Sequence, residues 1–235
     1  MSGRSVAGLV LALLLAAGFA ALGAWQLGRA RWKAAYLDAH ATALAAAPIG
    51  FATARDRPAG TPVRVVGPGR YDDTVTVLLD NRVRDGRIGM DVFTLFRPDD
   101  GATQLLVDRG WVALPGDRAV PPIEPAGNAR TVVAGVRLPP PSSGLRVGEL
   151  AFARDAPPPL WPRLDLERLA QTIGEPLAPA IVRLDDTAPH GFERAWQPLA
   201  NTLPPQRHRG YAVQWFALAA TVLVVASVLA FRRKR

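Results

Sequence analysis

The sequence predicts a membrane α+β protein: two transmembrane helices flanking an antiparallel β-rich extracytoplasmic domain, a small barrel or sandwich with a short inserted helix. Three observations predict it. Two uncharged apolar runs, Val6–Trp25 and Tyr211–Phe231, stand near opposite ends of the chain. At about 1.5 Å of rise per residue, each crosses a hydrocarbon core of about 30 Å. Every acidic residue lies between them, and that middle stretch is rich in β-branched residues punctuated by Gly and Pro. The chain therefore divides into a short N-terminal segment (1–5), a first span (6–25), one long loop domain (26–210), a second span (211–231) and a basic tail (232–235).

The formal charge of +8 is unevenly spread. Arg4, Arg232, Arg233, Lys234 and Arg235 lie outside the loop, which is itself only weakly basic. Such tails anchor to anionic headgroups. No basic stripe interleaved with aromatics is present, which argues against a nucleic-acid partner. There is no cysteine, so disulfides, thiol catalysis, thiolate metal sites and iron–sulfur clusters are excluded together. The only histidines are His40, His190 and His208, too scattered to suggest a multi-histidine metal centre.

Two spans put both termini on one side. The C-terminal Arg-Arg-Lys-Arg favours a cytoplasmic placement, but Arg29, Arg31, Lys33, Arg207 and Arg209 flank the loop ends and favour the reverse. Long domains cross the membrane largely regardless of charge, so the expectation is a loop outside the cytoplasm. The first run also meets the pattern of a cleaved signal peptide, with small residues near Ala21–Ala24. Its helical pattern, however, continues. Trp25, Arg29, Trp32 and Tyr36 share one helical face, and Gln26, Ala30 and Lys33 a neighbouring one. The aromatic face reads as an interfacial belt or as a surface offered to a ligand at the membrane boundary.

Ala30–Ala47 continues as helix. Strands are expected at Val63–Val66 and Val75–Val83, with Gly67-Pro68-Gly69 breaking between them, and at Gly89–Phe96 and Thr103–Val112 around the turn Arg97–Gly101. A further strand, Arg130–Leu138, ends at Pro139–Pro141. Val147–Phe152 and Ala180–Leu184 are weaker strands, and Leu164–Thr172 a short helix ending before Gly174. The Pro-rich stretches around 121–125, 157–162 and 204–205 read as connectors.

Enzyme chemistry is not legible. Ser142, Ser143 and the other hydroxyls lack a neighbouring base or elbow motif. Asp72-Asp73, Asp99-Asp100 and Asp185-Asp186 put adjacent acids on opposite strand faces and suit turns and surfaces. Two clusters stand out, Asp80-Asn81-Arg82 and Asp108-Arg109-Gly110-Trp111. The expected role of Asn81, Arg82, Asp108, Arg109, Gly110 and Trp111 is structural, favoured over direct contact with a ligand: the two strands pair, and Arg82 or Arg109 bridges to Asp108 or Asp80.

Four blocks in order carry a resemblance. They are Gly23-Ala24-Trp25-Gln26-Leu27-Gly28-Arg29 with Trp32-Lys33; Gly69-Arg70-Tyr71 with Asp80-Asn81-Arg82, Gly86 and Gly89; Val107–Val112; and His208–Ala219. Together, from about Leu22 to Ala219, they resemble the surfeit-locus-one family of cytochrome c oxidase assembly factors. The resemblance implies a non-enzymatic factor that binds haem a, even transiently, or assists its insertion into the oxidase catalytic subunit. Its implied partners are that subunit and the haem a synthesis machinery. It also implies a domain on the periplasmic side (the intermembrane-space side in mitochondria), with both termini cytoplasmic; the first span reads as lacking a preceding transit peptide, so the expectation is a bacterial inner membrane. The family's histidine before the second span falls at His208, preceded here by Gln206-Arg207 where the family often has asparagines. His208, Tyr211 and Trp215 share a helical face, and neutral imidazole is a suitable axial ligand for haem iron. Tyr211, Trp215 and Trp25 offer flat apolar surface, and Arg29 a partner for a propionate. Gln26 completes the expected haem site. The alternative is a scaffold that holds an oxidase assembly intermediate without haem.

Overall fold

The computed structural model describes residues 3–58, 60–141, 150–194 and 203–232. Ser142, Ser143 and the first half of the expected strand Val147–Phe152 lie outside them. The chain forms two compact units, Met1–Asp38 with Leu199–Arg235, and Ala39–Pro198.

The first unit holds most of helix α1 (Gly3–Ala45) and all of helix α4 (Pro205–Arg232). Both are long and apolar enough to cross a membrane. Helix α1 runs unbroken through the apolar run and the alanine-rich stretch because no proline interrupts it before Pro48. Helix α4 begins on Pro205, whose missing N–H would have had no partner in the first turn anyway.

The second unit is a small barrel. Its strands are β1 (Val63–Arg84), β2 (Arg87–Pro98), β3 (Leu105–Ala113), β4 (Arg130–Leu138), β5 (Leu160–Trp161) and β6 (Ile181–Leu184). The order β2-β3-β6-β4-β1 closes on itself because β1 also pairs with β2, and β5 adds beside β1. Most pairings are antiparallel; β3–β6 and β1–β5 are parallel. Short helices α2 (Phe51–Arg55) and α3 (Leu166–Ile173) complete the unit.

Closure depends on the length of β1. Its first residues, Val63–Arg70, pair with β4, and the stretch from Gly69 to Arg84 pairs with β2. The expected break at Gly67-Pro68-Gly69 is therefore absent, and one strand runs through it. These glycines serve close packing: a Cβ at Gly69 would sit 2.3 Å from the Arg97 carbonyl oxygen and 2.5 Å from Phe96, and one at Gly67 2.9 Å from Phe51. Register shifts after Asp72 and after Leu79 give the long strand its bends. Two further expectations are corrected. The stretch 157–162 is not only a connector, since Leu160 and Trp161 pair with Leu78 and Leu79. Leu150, Ala151 and Phe152 lie in no strand.

The stretch of β2 from Gly89 to Phe96 is buried without a break, because both of its faces are covered. Period-two alternation divides them. Val75, Val77, Leu79, Phe93 and Leu95 pack with Leu106, Trp161 and Leu169 of α3. Phe96 joins Phe51, Val65, Tyr71 and Val107, and Leu78 joins Met90, Val92 and Leu114. Helix α3 is fixed at both ends. Asp165 accepts from the Arg168 backbone N–H at 3.0 Å, a cap worth about 1 kcal/mol. Gly174 closes it at φ 72°.

Candidate functional site

In the first unit, α1 and α4 pack along two matched stripes. On α1 these are Gly23, Gln26, Ala30 and Lys33, spaced three and four apart; on α4 they are Pro205, His208, Ala212 and Ala219. Small residues on both stripes leave room for the larger side chains of the facing helix. Gly23 takes the ring of Phe216, which a Cβ would meet at 2.8 Å. Phe19 stacks on Trp215 with centroids 5.7 Å apart.

The polar end of this seam holds the chemistry. His208 is buried, and its Nδ1 lies 2.7 Å from Oε1 of Gln26. Its Nε2 is shielded from solvent and has no hydrogen-bond partner among the described residues. Lys33, also buried, donates from Nζ to the Leu203 carbonyl and ties α1 to the segment leading into α4. A buried ring nitrogen with no partner is costly in an ordinary core, where polar atoms are almost always satisfied.

The sequence-predicted residues separate into two groups. His208 and Gln26 meet, and Trp215 is half-buried against Phe19. Trp25, Arg29 and Tyr211 lie on exposed faces of their helices. Arg29 sits over the Trp32 ring at 4.7 Å, and Trp32 stacks on Tyr36 at 5.8 Å. Spacing puts His208, Tyr211 and Trp215 on one helical face, whereas burial divides them.

In the barrel, the second cluster is structural in a different way from that expected. β1 and β3 do not pair with each other; β2 lies between them. The expected bridges of Arg82 or Arg109 to Asp108 or Asp80 are replaced by others. Arg82 donates from Nε to Asp91 at 2.7 Å, Asp80 pairs with Arg118, and Asp108 faces Arg183 at 3.6 Å. Arg109 is buried and donates to the carbonyls of His190 at 2.7 Å and Glu124 at 2.8 Å. Trp111 donates from its indole to the Arg82 carbonyl at 2.8 Å, lies over Gly89, and is flanked by the guanidinium groups of Arg84 and Arg87. Gly110 adopts φ 123°, and Asn81 adopts φ 57° where the strand bends. Phe192 and Glu193 lie beside these residues, their backbones bonded to Arg109 and Trp111. No sequence pattern pointed to that segment.

Burial raises the Asp108 carboxyl above the usual carboxylate range, and the neighbouring Asp91 raises it further; Arg183 opposes both. Glu175 shows the reverse. Hydrogen bonds from Arg97 and Gln104 hold its carboxyl down at about 2. These are groups that lock strands and loops together. The adjacent acid pairs play the same part: Asp73 accepts the backbone N–H groups of Ala126 and Gly127, and Asp100 that of Ala52.

Two membrane-length helices that pack on each other, joined in sequence to a barrel of internally bonded polar residues, fit a two-pass membrane protein. Residues 13–220 match the family model of the SURF1 family, and the chain belongs to that family. The family is known for cytochrome oxidase assembly and is one of assembly factors rather than of known enzymes. No curated protein matches the chain.

Proposed function

We propose that this chain handles haem a during assembly of the oxidase, taking it as cargo with His208 as the axial ligand and passing it toward the catalytic subunit. The observation that carries this reading is the His208 ring: Nδ1 is held by Gln26, and Nε2 is buried with no hydrogen-bond partner among the described residues. That is the arrangement of a metal-ligating histidine, one nitrogen anchored by a neighbour and the other left for the metal. A site at the boundary of two spans suits a molecule that is apolar on its faces and anionic at its edge. Trp215, half-buried, and the exposed Trp25 and Tyr211 supply flat surface, and the exposed Arg29, Arg207 and Arg209 supply cations for propionates. Lys33 is already engaged with Leu203. Because Nε2 is covered, ligation requires the groups over it to part.

The same reading places the barrel domain on the periplasmic side of a bacterial inner membrane, both termini in the cytoplasm, and the partners in the oxidase catalytic subunit and the machinery that makes haem a. The test is a visible absorption spectrum of the detergent-purified protein from cells that make haem a, beside His208→Ala. A Soret band and an α band in the wild type, lost or shifted in the variant, are expected. Bands unchanged by the substitution would remove His208 as ligand. No bands in a folded wild-type protein would favour a scaffold that works by protein contacts alone.

A further inference from the structure

We infer that Gln26 is a positioning residue that sets the tautomer and the grip of His208; this rests on the haem reading above. A neutral imidazole carries one N–H, on either Nδ1 or Nε2. The amide oxygen of Gln26 only accepts, so its 2.7 Å contact with Nδ1 requires the proton there. Nε2 is then left with its lone pair, and Nε2 is the nitrogen with no partner among the described residues. The two helices enforce the arrangement. Gln26 shares its stripe with Gly23, Ala30 and Lys33, all buried, so the amide is delivered to the ring by the packing of α1 on α4.

The acceptor is an amide and not a carboxylate, and that choice has a consequence. A carboxylate on the N–H of a ligating imidazole raises the basicity of the other nitrogen and tightens the metal bond. A neutral amide orients the ring with less of this effect. Gln26 therefore gives a correctly aimed ligand with a moderate hold, as a protein that must release its cargo needs.

The experiment has two arms on the full chain in detergent micelles. The first uses histidine-selective ¹⁵N labelling without haem; only three histidines are present, and His208→Ala identifies the signal. The Nδ1–H tautomer is expected at His208, with the preference lost in Gln26→Leu and kept in Gln26→Glu. An Nε2–H tautomer in the wild type would overturn the inference, since it would mean that the amide nitrogen faces the ring; this result needs no variant. The second arm titrates haem a. Gln26→Leu is expected to weaken binding by about 10–100-fold, and Gln26→Glu to tighten it and slow release. Equal binding by wild type and Gln26→Leu would overturn the positioning role. A wild type that takes up no haem would overturn the haem reading instead, and the tautomer measured in the first arm would still decide what Gln26 does to the ring.

Discussion

At the scale of single residues, the barrel stores charge where solvent cannot reach it. Asp108 is fully buried, and Asp91, the acid that acts on it, is nearly so. Burial and their mutual repulsion push the Asp108 carboxyl upward, against the pull of Arg183 and Arg82. In the unfolded chain the same group titrates near the ordinary value of about 4. Between that value and the raised one, the folded state binds more protons than the unfolded state, so this group makes stability fall as pH rises through the window. Asp108→Asn fixes the uncharged form and keeps an oxygen to accept from the Gly110 N–H, now bonded at 3.2 Å. Thermal melts of the full chain in detergent between about pH 4 and 8 should show a shallower decline in the variant. An identical slope in both proteins would show that Asp108 ionises in the fold as freely as in water. Glu175 works in the opposite sense. Its carboxyl is held at about 2, so the stability it contributes is present above its ordinary range and lost as pH falls toward 2.

At the scale of elements, what was legible depended on whether a residue's role was local. Strand β4, Arg130–Leu138, follows from its β-branched run and the prolines after it, and both borders agree with the sequence reading. Strands β2 and β3 and helix α3 were legible for the same reason. The passage of β1 through Gly67-Pro68-Gly69 was not, because those residues accommodate Phe51 and Phe96, which are distant in sequence. The hairpin between β1 and β2 carried a local signal that went unread: Asp85-Gly86, with both residues at positive φ, as a two-residue turn demands. The partners of Arg82, Asp108 and Arg109 were illegible, since they are set by strand order. At the candidate site, His208 and Gln26 were both named from sequence, but their contact was not. Helical spacing fixes which residues share a face and leaves open which face meets the other helix. The seam itself gives a prediction. Gly23→Ala places a methyl 2.8 Å from the Phe216 ring and should cost about 1–3 kcal/mol. In a Phe216→Ala background the cost should fall to within about 0.5 kcal/mol of zero, the mark of two residues that couple by contact. Equal costs in both backgrounds, read from the same melts, would contradict the packing of α1 on α4 at this point.

At the scale of the whole molecule, the two spans and the single large unit between them leave one question of direction. Charge near the membrane ends does not answer it, since Arg29, Arg31 and Lys33 after the first run and Arg207 and Arg209 before the second offset Arg4 and the C-terminal tail. The size of the intervening unit favours the outside, since long domains cross the membrane largely regardless of charge. The composition makes the test unusually clean, because the chain contains no cysteine and any introduced thiol is the only one. Asp117 is exposed on a turn after β3, and Lys234 lies in the basic tail. In intact spheroplasts, a membrane-impermeant maleimide should label Asp117→Cys fully and leave Lys234→Cys unlabelled until the membrane is opened. The reverse pattern would place the barrel in the cytoplasm and move the seam's polar end, with His208 and Gln26, to the inner boundary. Haem taken up there would come from the cytoplasmic face, and the proposed transfer to the catalytic subunit would have to run from that side.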